Sequence, residues 1–282
     1  MNLEDEIPGS SLDPTPGSMR DRELMANTTP LTRGESQALQ DAILHQEEPA
    51  FIDTLVALLL DGRGPRQILE VIQIAAAQVV LDTGDMRNYA MSQHGYEYCN
   101  TLGWFFDTFD HPHAVKLLFV AASFINRSAH HQRVTPGNAE AVIRAPRDSD
   151  KLSAHQLLRN LGDAMEALAP DESVDWTQAY LESGNDRAPL VETLAIGAAK
   201  MGNDPHNQEI ALCMIDDYGT NAAEGSERLL LAAARHTAGH VKYGESTEPF
   251  RRFAEAFGLP ASGSVTGEAP PEEAVLDQME PA

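Results

Sequence analysis

Ten histidines stand out among the residues of this chain that could do chemistry. Imidazole is the side chain that binds metals as a neutral ligand and exchanges protons near neutral pH. His236 and His240 sit four residues apart in Arg235-His236-Thr237-Ala238-Gly239-His240. On a helix that spacing puts both rings on one face, the arrangement chelation needs. Positions 237–239 hold no acid, so the His-Glu-x-x-His pattern is absent. The competing reading is one buried and one solvated histidine. His94 lies in Gln93-His94-Gly95-Tyr96-Glu97, with Glu97 on the same helical face. A His-Glu pair of this kind serves in helical carboxylate proteins, though the second Glu-x-x-His motif of those proteins is missing. Gly95 costs a helix about 1 kcal/mol relative to Ala, which points to a close approach by another helix or by a ligand.

His155 falls early in a helix, in Ser153-Ala154-His155, and His206 follows Asp204-Pro205 at another helix start. A solvated first-turn position is the ordinary reading of His206. His111, His113, His130 and His131 flank helix ends, where solvated or capping roles are the rule, with His130 or His131 in reach of a site at such an end. Other signatures are absent: Gly-x-Gly-x-x-Gly, a phosphate loop, Gly-x-Ser-x-Gly, Cys-x-x-Cys and Cys-x-His.

The elements that must position these residues are written twice. Leu39, Asp41 and Ala42 recur as Leu161, Asp163 and Ala164, a spacing of 122 residues. Asp53 recurs as Asp175, Gly62 as Gly184, Glu70 as Glu192, Ile74 as Ile196, and Ala76-Ala77 as Ala198-Ala199. Such a register predicts two copies of one helical unit. The expected fold is all-α: about ten helices in two pseudo-symmetric repeats packed as one domain. Residues 1–30 read as a disordered tail, 31–131 as repeat 1, 132–150 as a linker, 151–258 as repeat 2, and 259–282 as a disordered acidic tail. In repeat 1 helices are expected near 32–46, 51–60, 68–79, 85–100 and 110–129, with Trp104–Phe109 a continuation or a tight turn. Repeat 2 predicts 152–168, 175–182, 189–201, 205–218, 226–243 and a short helix over 248–257. The histidines break the 122-residue symmetry, because positions 33 and 84 hold Arg and Gly and position 216 holds Asp. Packing residues follow a duplication; a single asymmetric site need not.

Composition narrows the function classes. The chain has 282 residues, 42% hydrophobic and 6% aromatic, with net charge −23. Residues 1–18 and 259–282 hold nine acids and no base, which leaves −14 for the rest. This balance argues against nucleic acid and against an anionic membrane surface. Neither a secretory leader nor a membrane-length apolar run is present, so a cytoplasmic protein is expected. Cys99 and Cys213 read as buried free thiols. Aromatics are too few to suggest an interface patch, and monomer and homodimer both remain open.

The segments His94-Gly95-Tyr96-Glu97-Tyr98-Cys99-Asn100, His113 to Lys116, and Ala121-Ala122-Ser123-Phe124-Ile125-Asn126-Arg127 together carry a resemblance. Over residues 35–245 the chain resembles the helical portion of bacterial Rieske-associated proteins. That portion is in turn similar to questin-oxidase-like proteins, helical oxygenases of polyketide metabolism. The resemblance implies a site at His94, joined by His155, His206 and the His236/His240 pair. The chain departs from the family in carrying no ferredoxin domain of its own. Two functions are then expected. One is an oxidoreductase, an oxygenase acting on a small molecule, with His94 and His155 catalytic and with His94, His155, His206, His236 and His240 as metal ligands between the repeats. Phe119, Phe124, Ile196 and Met214 would line its pocket. Its cofactor is unknown; iron is preferred if a metal is bound. The other is a non-catalytic helical-repeat binding or scaffold protein, in which the histidines are incidental.

Overall fold

The computed structural model describes residues 23–84, 89–109, 111, 113–201, 205–239, 252 and 255–258. Among them the regular structure is helical, with one isolated bridge between Thr29 and Arg63. The α-helices are α1 (Arg33–His45), α2 (Glu48–Leu60), α3 (Pro65–Leu81), α4 (Tyr89–Thr108) and α5 (Ala114–Val134), then α6 (Ala154–Glu166), α7 (Pro170–Glu182), α8 (Ala188–Met201), α9 (Pro205–Thr220) and α10 (Glu227–Gly239). A short 3-10 turn, Ser149–Lys151, precedes α6. None of the described helices is long and apolar enough to cross a membrane.

The chain divides into two compact units. Unit 1 holds residues 1–139 and 221–226; unit 2 holds 140–220 and 227–282. In unit 1, α1 packs on α2, α3 and α5, α3 on α4 and α5, and α5 also on α4 and α2. In unit 2, α6 packs on α7, α8 and α10, α8 on α9 and α10, and α10 also on α9 and α7. The two sets of pairs correspond helix for helix.

Local chemistry repeats as well. Thr32 caps α1 through the Glu35 N–H while Glu35 Oε2 accepts the Thr32 N–H at 2.7 Å. Ser153 and Gln156 form the same reciprocal box at α6, with the Ser153 N–H donating to Gln156 Oε1 at 2.9 Å. Two orphan amides are thereby satisfied at the start of each unit. Inward positions match too: Leu39, Leu161, Ile72 and Leu194 are all 0% exposed. The α2 and α7 helices end in the same turn, with Gly62 at φ +79° and Gly184 at φ +70°. A side chain there would meet no atom within 4 Å, so only backbone strain opposes it. Gly62→Ala and Gly184→Ala should each lower stability by about 1–2 kcal/mol, read as shifted denaturation midpoints. Equal midpoints in variant and wild type would mean the turn relaxes at no cost.

Several boundaries differ from the sequence-based expectation, for physical reasons. α7 starts at Pro170, five residues before the expected 175, because Pro is tolerated at the first helical position and Asp171 and Glu172 favour the N-terminal dipole. α2 likewise takes in Glu48 and Pro49. α4 continues through Trp104 to Thr108. α5 begins at Ala114, after the His113 cap, and ends at Val134, past the expected Ala129. Its inner face is partly polar: Asn126, Ser128 and Gln132 are buried, so the apolar rhythm fades before the helix does. Gln132 Nε2 donates to Thr83 Oγ1 at 2.7 Å, and Asn126 Nδ2 donates to the Ile43 and Gln46 carbonyls at 2.8 and 2.9 Å. Gly95 lets α4 approach α5 closely, since a Cβ there would lie 2.9 Å from Ile125 Cδ1. Residues 138–146 have no regular structure, and the Arg144 N–H donates to Asp175 Oδ1 at 3.0 Å. Neither cysteine is in a disulfide; Cys99 is buried and Cys213 half-buried. The terminal stretches 1–22 and 259–282, and most of the expected helix over 248–257, lie outside the described residues.

Candidate functional site

His94 is an exposed residue of α4, and its Nδ1 stands 2.7 Å from Glu97 Oε2. The expected pairing along one helical face is therefore present. His155, next to the Ser153 cap of α6, is exposed. His236, on α10 in the same unit, is 0% exposed. Those two rings occupy opposite environments. The side chain of His206 and all of His240 lie outside the described residues. Among the described residues, no group of three or more His, Cys, Asp or Glu side chains is placed to hold a metal ion. His130 and His131 line a hollow of about 340 Å³ beside Glu47, Glu48 and Arg127, both rings exposed. Of the residues expected to line a pocket, Met214 is in the core, while Phe119, Phe124 and Ile196 are half-buried.

Two features of unit 1 were not expected. The first is an aromatic cluster at the end of α4. Trp104 and Phe109 are 59% and 47% exposed, and their rings meet edge-on at 5.3 Å. Phe105 stacks obliquely on Phe109 at 5.4 Å and meets His111 at 6.2 Å. Helical geometry explains the grouping: Trp104 and Phe105 share the last turn of α4, and the Phe109 N–H donates to the Phe105 carbonyl at 2.9 Å. The turn thus folds Phe109 back over its predecessors. These ring separations suit aromatic pairing. A signal was present in Trp104-Phe105-Phe106 followed by Phe109, but low overall aromatic content argued against a patch.

The second feature is a hollow of about 370 Å³ beside Glu70. Glu70 is on α3 and only 6% exposed. Burial pushes its carboxyl above the usual carboxylate range, the Arg66 guanidinium and the Ala222 N–H pull it back, and Asp107 adds to the rise. A buried, perturbed carboxyl beside a hollow is the ordinary mark of a site, although structural networks produce it too. At the corresponding place in unit 2, Glu192 is exposed. The symmetry that holds for packing residues fails here.

No family model, curated protein or solved structure matches this chain. The functional reading rests on its own residues.

Proposed function

We propose that the chain is a non-catalytic binding protein that docks a basic protein partner on the aromatic cluster at the end of α4. The exposure of Trp104 and Phe109 carries this reading. Large aromatic side chains left in water forgo much of the stabilisation that burial gives, and they are the usual energetic centres of interfaces. Charge selects the partner. A chain of net charge −23 repels a second copy of itself and attracts a cationic surface. Asp107, 60% exposed on the same helix, lies within three residues of both rings. An arginine or lysine of the partner would meet the ring faces beside Asp107, which also pairs with Arg66 at 3.2 Å.

The oxidoreductase reading, with iron held by His94, His155, His206, His236 and His240, keeps one point of support in the His94–Glu97 pair. Stoichiometric iron in the purified protein, lost in His94→Ala, would favour it over the binding reading.

The test uses the full chain and a labelled helical peptide alternating arginine and leucine, followed by fluorescence anisotropy. Trp104→Ala and Phe109→Ala should each weaken binding by roughly tenfold or more. Binding that is unchanged in both variants, or that depends on total charge alone, would sink the proposal. A wild-type dimer that Trp104→Ala turns into a monomer would make the occupant a second copy and overturn the basic partner.

A further inference from the structure

We propose that the hollow beside Glu70 in unit 1 binds a small organic ammonium ligand. Its wall combines Arg33 and Ser36 of α1, Gln67 and Glu70 of α3, and Ala223 and Glu224 of the 221–226 segment. A volume of about 370 Å³ suits a small molecule.

Charge bookkeeping around the hollow identifies the ligand. Arg33 Nη1 pairs with Glu224 Oε1 at 3.3 Å, and Arg66 Nε pairs with Asp107 Oδ1 at 3.2 Å. Arg33 and Glu224 cancel on the wall, while Arg66, whose Nη1 is buried with no hydrogen-bond partner, and Asp107 are not among the lining residues. Glu70 remains as one negative charge on the wall, 94% removed from solvent. The Ala222 N–H donates a hydrogen bond to it, and the Arg66 guanidinium, which Asp107 also holds, attracts its charge. Gln67 also lines the hollow, and its Oε1, which lies against Gly64, is buried with no hydrogen-bond partner. Buried acceptors without donors are costly, and a buried carboxylate more so. The missing complement is cationic and rich in N–H donors. A primary ammonium supplies one positive charge and three donors. An anion would meet Glu70 unfavourably. The rise that burial imposes on the Glu70 carboxyl agrees, since an arriving cation offsets the lost hydration.

A purely structural role for Glu70, clamping residue 222, is the alternative. Glu70→Gln separates the two, because a glutamine oxygen still accepts the Ala222 N–H while the charge is gone. The full chain, carrying carbon-13 in its glutamate side chains, is titrated by NMR with ethylammonium chloride, and with sodium chloride at matched ionic strength. Saturable binding of ethylammonium is expected, with the Glu70 carboxyl titrating at lower pH in the bound state. Glu70→Gln should weaken binding by roughly tenfold or more, the effect of removing one charge-assisted contact. Ala223→Leu, which fills the hollow and leaves Glu70 in place, should abolish it. The site is disproved by the absence of saturable binding, by equal responses to sodium and ethylammonium, or by Ala223→Leu binding as wild type does. Unweakened binding in a folded Glu70→Gln protein disproves it as well.

Discussion

Leu39→Ala and Leu161→Ala should each destabilise the protein by about 2–5 kcal/mol. Both side chains are 0% exposed, on the corresponding helices α1 and α6. Removing three heavy atoms from such a position loses transfer free energy and leaves a hole that close-packed neighbours fill only in part. The α1 helix touches α2, α3 and α5, and α6 touches α7, α8 and α10, so each hole opens at a helix with three partners. Denaturant titration checks the size of the effect. Hydrogen exchange checks its place: Leu39→Ala should loosen α3 and α5, and Leu161→Ala should loosen α8 and α10. A cost below 1 kcal/mol in both variants would mean that these helices are not the packing centres described above.

Asn221→Ala should cost about 2–4 kcal/mol, more than its single side chain suggests. The residue is 7% exposed. Its Nδ2 donates to the Glu70 carbonyl at 3.0 Å and to Gln73 Oε1 at 3.2 Å, while its Oδ1 accepts the Ala223 N–H at 3.0 Å. Alanine removes all three bonds and leaves the buried Gln73 Oε1 without this donor, while the Glu70 carbonyl keeps its place in the α3 ladder. Gln73 is especially exposed to the loss, since its Nε2 is already buried with no partner. The 221–226 segment forms one wall of the Glu70 hollow, so stability and ligand capture change together. Faster amide exchange at Ala223 and weaker ethylammonium binding are both expected. A variant as stable as wild type would show that the segment is held by other contacts.

The periodic features of the fold were readable without coordinates. Leu39 and Leu161, and the glycine turns at 62 and 184, follow from a helical rhythm repeated at 122 residues, because apolar spacing and left-handed glycines are local requirements; the expected pair Ile74 and Ile196 does not share an environment, since Ile74 is buried and Ile196 half-buried. Helix starts were less legible. Pro170, Asp171 and Glu172 resemble loop residues by composition, yet they suit a first helical turn. The end of α5 was hidden because its inner face carries Asn126, Ser128 and Gln132, whose burial depends on partners 37 to 83 residues away. The candidate sites were legible only in part. The i, i+3 spacing of His94 and Glu97 foretold their contact, since a helix brings such positions together by itself.

Spacing along the chain therefore set the all-α class, the repeated helical rhythm and its glycine turns, and, outside the repeat, the His94–Glu97 pair. Environment was settled by packing over long separations. Glu70 and Glu192 occupy equivalent places in the pattern, yet one is buried beside residues 221–224 and the other faces water. His236 is enclosed while His155 is solvated, and Trp104 is left uncovered. No local rule separates these cases, because exposure is a property of the neighbours a residue acquires and not of the residue or its spacing.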